Sequence, residues 1–329
     1  MRRALTLVRR RAISAIPVLL IVVVATFLML EAAPGDAVDA YLLSAGGGDA
    51  ALAASLRAQY GLDQSLLSRL ILYVAALGRL DLGWSVAFER PVLALIAERL
   101  PTTLLLMGSA TALSFGLGSL LGVVAGSRPG SFRDRALSIG ALTLYAIPGF
   151  WLGLVLVLVF SVSLRWLPIA GIETIASGKH GLARAVDVAR HLALPVAALG
   201  FIYLALFLRV MRSAMAEIWR QDFVLAARAK GLTRRRIVWR HVARAALLPL
   251  VTVLGLQAAG MLGGSVVIES VFAIPGFGRL AQEAVAGRDA PLLIGIILTS
   301  AVLVILVNLM VDLVYAVLDP RIGASEAVG

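Results

Sequence analysis

The sequence predicts an all-α polytopic membrane protein, and three observations carry that reading. Sixty per cent of its residues are hydrophobic and only 15% are charged, with a mean hydropathy of +0.94, far from a soluble average. The apolar residues fall into six runs, each suited to a hydrocarbon core about 30 Å thick, for which roughly 20 helical residues suffice. The basic residues behind the net charge of +11 collect at the ends of those runs rather than along one face. Positive-inside topology explains that placement, and a nucleic-acid partner is not expected. No cysteine is present, so disulfides and thiolate metal sites are excluded.

Arg2, Arg3, Arg9, Arg10 and Arg11 precede an uncharged run from Ala12 to Leu30. That run exceeds a signal-peptide core, and Glu31-Ala32-Ala33-Pro34 is a poor cleavage site, so it reads as an uncleaved first span. Residues 32–99 form the longest polar segment. It holds a turn at Gly46-Gly47-Gly48 and two helical patches, Asp49 to Tyr60, ended by Gly61, and Asp63 to Leu77. On the second patch Leu66, Leu67, Leu70, Ile71 and Val74 share a face suited to neighbouring spans or the lipid boundary. The second span is expected from Thr102 to about Gly126, with Gly108, Gly116, Gly118 and Gly122 permitting close helix approach.

After a basic turn at Arg128, Arg133 and Arg135, the third span runs from Ala136 to about Leu164, with a kink at Pro148-Gly149. A loop from Arg165 to Arg190 leads to a fourth span near Leu192 to Leu208. The fifth, from about Ala245 to Ile268, is interrupted by Gly255, Gly260, Gly263 and Gly264. The sixth, Ala290 to Val311, precedes a tail beginning Asp319-Pro320-Arg321. With six spans both termini share a side with the turn at 127–135 and the segment at 212–246, and charge bias makes that side the cytoplasm.

The segment Asp222 to Pro249 is basic, amphipathic and set between two apolar runs. Asp222 is suited to cap a short helix, and Gly231 to the left-handed residue that ends it. Thr233 is suited to cap a second helix carrying Arg234, Arg235, Arg236, Arg240 and Arg244. On the short helix Phe223, Ala226, Ala227 and Lys230 share a face by three-and-four spacing, a shallow apolar surface able to enter a groove on another protein. A solvated juxtamembrane region drawn to anionic lipid is the alternative reading of such charge.

These residues reach a family. Leu225-Ala226-Ala227, three residues and Gly231 stand where the EAA loop of binding-protein-dependent ABC importer permeases has Glu-Ala-Ala, three residues and Gly. Leu225 replaces the acidic residue, and the spacing to Pro249 is longer than in the general motif; both departures resemble the dipeptide/oligopeptide/nickel subfamily. The resemblance continues in ERLPTTLLL from Glu98, IPGFWLG from Ile147, Glu269 to Gly278, and Asn308 to Ile322. Asp81-Leu82-Gly83-Trp84-Ser85 resembles a short motif of that family's outer loop.

The resemblance implies a type I ABC importer permease fold with six transmembrane helices in the cytoplasmic membrane. It divides the chain into a first span and outer helical loop (1–99), a five-helix transmembrane domain with the coupling loop at 212–246 (100–317), and a cytoplasmic tail (318–329). It implies as partners a second permease in a heterodimer, two cytoplasmic ABC ATPase subunits that bind ATP and Mg, an extracytoplasmic substrate-binding protein, and membrane lipid; this chain itself would hold no cofactor. Asp222, Phe223, Ala226, Ala227, Arg228, Ala229, Lys230 and Gly231 would couple it to the ATPase, with Arg228 and Lys230 steering toward acidic groups. Peptide is the first expected substrate; nickel, a metal chelate or another small solute is the alternative, as is a homodimeric permease. From another class, the alternative is a membrane scaffold or receptor whose basic loop recruits a soluble partner.

Kinked spans line transport paths, which nominates Tyr145, Pro148, Gly149, Phe150 and Trp151, and Gly263 and Gly264 of the fifth run are further candidates; packing is the competing role. Enzymatic chemistry finds no foothold. His180, His191 and His241 are scattered, no HExxH or GxSxG occurs, and Gly178-Lys179-His180 lacks both the leading glycine and the Ser/Thr of a phosphate-binding loop. Few ionisable residues lie deep in the runs, Glu269 and Asp312 falling near their ends, which disfavours a proton-coupled carrier.

Overall fold

The structure, a computed structural model, describes residues 2–32, 35, 38, 39, 42, 50–59 and 63–318. The described chain is helical almost throughout. It runs α1 (Arg2–Glu31), α2 (Ala50–Gln59), α3 (Leu66–Leu77), a hairpin of β1 (Trp84–Ser85) and β2 (Arg90–Pro91), α4 (Val92–Ser127) and α5 (Phe132–Ala146). Then follow α6 (Gly149–Leu156), prolonged by a π-helical stretch Val157–Ser163, α7 (Gly181–Ile218), α8 (Asp222–Ala229) and α9 (Arg234–Ile237). A second π-helical stretch, Val238–Val242, joins α9 to α10 (Ala243–Val271), and α11 (Phe277–Ala286) and α12 (Ala290–Leu318) complete the order. The expected turn at Gly46-Gly47-Gly48, the helix end at Gly61 and the tail from Asp319 lie outside the described residues.

Among the described residues four helical segments are long and apolar enough to cross a membrane: Val92–Ser127, Gly181–Ile218, Arg234–Gln257 and Ala290–Leu313. The pair α5 and α6 makes a fifth if taken as one span, and α1 holds a shorter apolar stretch, Ile13–Met29. Counted together they are compatible with six crossings.

Several elements differ from expectation for physical reasons. The third span is broken rather than kinked: its halves meet at 99°. Ile147 (φ −81°, ψ 126°) and Pro148 (φ −60°, ψ 134°) are both extended, because the proline ring drives the residue before it out of the helical region. α7 starts at Gly181 rather than Leu192 and ends at Ile218 rather than Leu208. At 1.5 Å per residue it is about 57 Å long, nearly twice a hydrocarbon core, so charged residues at its ends need not enter lipid. α10 runs unbroken through Gly255, Gly260, Gly263 and Gly264; each helical glycine costs only about 1 kcal/mol. α3 begins at Leu66, with Ser65 accepting a hydrogen bond from Ser68 N at 3.3 Å, so Asp63 precedes the helix. Its apolar face has no buried residue.

The chain divides into two compact units, Met1–Thr103 with Pro275–Leu306, and Leu104–Ile274 with Val307–Gly329. In the first, Val92, Leu95 and Ile96 of α4 form a core with Phe277, Leu280 and Ala284 of α11 and Leu292 and Ile296 of α12. Thr103 Oγ1, fully buried, accepts a hydrogen bond from Phe277 N at 2.8 Å, satisfying an orphan donor at the start of α11. The β1–β2 hairpin pairs Trp84 with Pro91 and Ser85 with Arg90. Asp289 fastens it: its carboxylate accepts Ser85 Oγ at 2.6 Å, Ala87 N at 3.0 Å and Leu292 N at 3.1 Å. One buried carboxylate thus caps α12 and anchors the hairpin. The Asp81–Ser85 motif therefore has a structural place.

In the second unit α7 is central: 61% of its apolar window is buried, against 22–39% in the other three spans. Its neighbours approach closely at glycines. A Cβ at Gly118 would sit 2.9 Å from Phe207 Cβ, at Gly122 2.5 Å from Met211 Cβ, and at Gly126 2.8 Å from Met215 Cβ. Of the four glycines expected to serve this role, Gly108 and Gly116 face open space.

Candidate functional site

The basic loop folds as a short helix closed at its C-terminal end. Gly231 has φ +74°; its N–H donates to Arg228 O at 2.9 Å, and Leu232 N–H donates to Ala227 O at 3.3 Å. These two bonds form a Schellman end, which requires the left-handed residue that glycine supplies without strain. At the other end the expectation needs correction. Gln221 is the N-cap and Asp222 the first helical residue, where its carboxylate still favours the positive end of the helix dipole. Thr233 takes the extended N-cap conformation before α9 but makes no side-chain cap bond.

The orientation of α8 also differs from the sequence reading. Val224 and Ala227 are buried, at 0% and 6% exposure, in a core with Met211, Met215 and Ile218 of α7, Ile237, and Val238 and Val242 of the π-helical stretch. Burial of Val224 alone contributes about 1.5 kcal/mol. Ala227 therefore belongs to the surface that fastens α8 to its own bundle. Phe223, Ala226, Ala229 and Lys230 face outward, as does Leu225.

Two further contacts lock the loop to the bundle. Trp219 Nε1 donates to Gly126 O at 2.8 Å, and Arg234 Nη2 donates to Ser127 O at 2.7 Å. Both acceptors are terminal carbonyls of α4, which lack helical partners. Arg228 and Arg234 lie over the Trp219 ring at 5.1 and 5.3 Å from its centroid, within cation–π range. Arg228, exposed on α8, thus also has an internal contact. Close by, Arg212 of α7 grips Asp134 of α5 through Nε at 2.5 Å and Nη2 at 3.0 Å, and the Asp134 side chain is 1% exposed. Sequence reasoning missed Asp134, although Ser131-x-x-Asp134 is a helix-start signature, and Ser131 Oγ does accept from Asp134 N at 3.3 Å.

The residues nominated for a path lie on α5, the α5–α6 break, α6 and α10. Tyr145, Phe150 and Trp151 are about half exposed, and the Arg209 guanidinium lies 5.6 Å from the Tyr145 ring centroid. Pro148 marks the break, and a Cβ at Gly149 would meet Ile202 Cδ1 at 2.5 Å. On α10, Gly263 faces open space, while Gly264 packs toward Leu199 and Tyr203.

At the opposite end of α7 the segment before Gly181 is tied down by charge. Asp187 accepts from Thr174 N, Thr174 Oγ1 and Lys179 Nζ at 2.7, 3.0 and 2.5 Å. Arg184 pairs with Glu173 at 2.6 Å, which holds the Glu173 carboxyl below its ordinary pKa. Among the described residues no group of three or more His, Cys, Asp or Glu side chains could hold a metal.

A bundle of long apolar helices, carrying a basic loop whose short helix is fixed inward and apolar outward, defines a polytopic membrane transport component. The chain belongs to the family described as binding-protein-dependent transport system inner membrane component, which matches residues 118–324, and its N-terminal companion family matches residues 4–107. It is 36% identical over 316 residues to a putative peptide transport system permease protein of Brucella abortus (strain 2308), covering 96% of this chain and 98% of that one. It is 36% identical to the oligopeptide transport system permease protein AppB of Bacillus subtilis (strain 168), covering 95% and 98%. With the di/tripeptide transport system permease protein DppB of Pseudomonas aeruginosa (strain UCBPP-PA14) it shares 37% identity, covering 97% and 98%. Among solved structures, the MetNI methionine ABC transporter in inward-facing conformations superposes with a TM-score of 0.56 at 19% identity, covering 69% of this chain and 97% of that one; this likeness shows the fold. The chain is a transport permease subunit of ABC-importer type rather than an enzyme, and membership implies ATPase and substrate-binding partners.

Proposed function

We propose that this chain is the permease subunit of an ATP-driven importer of di- and oligopeptides, working as a heterodimer with a second permease. The observation that carries the substrate class is likeness over nearly the full chain to proteins named as peptide permeases. Two cytoplasmic ATPase subunits bind ATP and Mg, and an extracytoplasmic binding protein delivers the peptide. Both termini and the basic loop lie in the cytoplasm, as the arginine distribution favours. Residues 1–99 form the first span and outer loop, residues 100–317 the transport domain, and residues 318–329 the tail.

The coupling element is the loop around α8. Its outward face, Phe223, Ala226, Ala229 and Lys230, enters a groove on the ATPase, with Asp222 and Gly231 setting the ends. Val224, Ala227 and Arg228 hold α8 against α7 and the end of α4. Support for this division of labour comes from the burial of Val224 and Ala227 and the bonds of Trp219 and Arg234 to α4. Closure of the ATPase pair on ATP moves α8, and the fastenings transmit that motion to the spans; ATP thereby supplies the differential affinity that switching requires. Tyr145, Pro148, Gly149, Phe150, Trp151, Gly263 and Gly264 contribute to the path.

Affinity purification of the tagged chain from membranes, followed by mass spectrometry and ATP-dependent peptide uptake in vesicles, tests the proposal. Recovery of ATPases and a second permease, with uptake of labelled tripeptide when the binding protein is added, is expected. A chain that purifies with unrelated soluble proteins and supports no uptake would refute it.

A further inference from the structure

The arginines of the basic loop divide into two sets. Arg212 is paired with Asp134, and Arg228 and Arg234 lie on Trp219. By contrast, the side chains of Arg240 and Arg244, and of His241 between them, have no hydrogen bond, ion pair or ring contact among the described residues. These three groups line one open cavity of about 260 Å³, whose other walls include Phe223, Leu247 and Leu248. Arg240 and His241 stand on the π-helical stretch Val238–Val242, a widened helical turn of the kind that recurs at functional sites.

Two guanidiniums four residues apart on one helix repel each other, and among the described residues no ion pair offsets that. The cavity therefore suits an anion. Its position says which kind. Arg240 and Leu248 are eight residues apart, about 12 Å along the axis; Arg240 and Arg244 are exposed, whereas Leu247 and Leu248 are half-buried and open the uncharged run that follows Arg244. Exposed arginines followed along the helix by half-buried leucines match the order of phosphate and acyl chain at a bilayer surface.

We propose that this cavity is a binding site for the headgroup of an anionic phospholipid, with Arg240 and Arg244 on the phosphate and Leu247 and Leu248 against the upper acyl chain. The site is independent of what the chain transports.

The test uses the full chain, purified with whatever subunits accompany it, in nanodiscs of 70% phosphatidylcholine and 30% phosphatidylglycerol. Native mass spectrometry then reads the phosphatidylglycerol retained after release. Wild type should retain it in preference to phosphatidylcholine. Arg240→Gln/Arg244→Gln should lose about 30-fold of that preference, roughly fivefold for each arginine, whereas Arg240→Lys/Arg244→Lys should keep most of it. Arg235→Gln/Arg236→Gln, one turn away and outside the cavity, should leave it unchanged. Equal loss in both glutamine pairs would show diffuse attraction and overturn the site. Absence of preference in wild type, loss in the lysine pair as large as in the glutamine pair, or displacement of the lipid by 10 mM inorganic phosphate would overturn it as well.

Discussion

Gly231 offers the sharpest test of the coupling loop, because the structure separates backbone conformation from packing at that position. Its φ of +74° lies in the left-handed region, and a Cβ there would meet nothing within 4 Å. Any substitution effect must then arise from the backbone rather than from a clash. For an L-residue such as alanine the left-handed conformation costs about 1–2 kcal/mol, which shifts the balance toward an unwound helix end roughly 5- to 30-fold. Valine, branched at Cβ, costs more; asparagine visits this region routinely and costs less.

The cost falls on the Schellman bonds of Gly231 to Arg228 and Leu232 to Ala227, and so on the end of α8 rather than on the spans. The expected order of ATP-coupled peptide uptake in reconstituted vesicles is Gly231, then Asn, then Ala, then Val. ATP hydrolysis should persist, so that ATP consumed per peptide imported rises while membrane insertion stays normal. Normal coupling in Gly231→Val would refute the role of this helix end. Equal impairment by Asn and Ala would show that something other than the left-handed backbone matters.

Two more substitutions probe the fastenings. Ala227→Asp places a carboxylate in a core position 6% exposed and should destabilise the loop by several kcal/mol, read as a fall in thermal stability by tryptophan fluorescence. Ala226→Asp on the outward side should leave that stability within about 0.5 kcal/mol while reducing ATPase co-purification; the opposite pattern would reverse the assignment of the two faces. Asp289→Ala removes the acceptor shared by Ser85, Ala87 and Leu292 and should cost about 2–3 kcal/mol. The measurement is faster cleavage of residues 80–91 in limited proteolysis, and an unchanged rate would deny Asp289 its anchoring role.

Much of the fold was legible because apolar runs and arginine clusters are direct consequences of a bilayer. The left-handed end of α8 was legible for a similar reason, since few residues other than glycine suit it. The start of α7 was not. Arg184, Asp187, Arg190 and His191 interrupt the apolar pattern, and only the fold brings Thr174 and Lys179 to Asp187. The inward side of α8 was equally hidden: Phe223/Ala226 and Val224/Ala227 are both apolar pairs at helical spacing, and no wheel tells which one meets α7. Asp289 gave no local sign either, because its partners Ser85 and Ala87 lie about 200 residues earlier in the chain.

The seam of Gly118, Gly122 and Gly126 against Phe207, Met211 and Met215 limits how this half of α4 can respond to force. Side chains that interpose between helices act as a compliant layer, changing rotamer to absorb small shear. Here three successive turns of bare backbone rest on α7, and only the α7 side chains remain to form that layer. The glycines recur every four residues, so the seam returns to register only after about 6 Å of sliding, and Phe207, Met211 and Met215 must repack at every register between. With one side of the contact stripped to backbone, this stretch of α7 has fewer side chains through which to lose a displacement before it reaches α4.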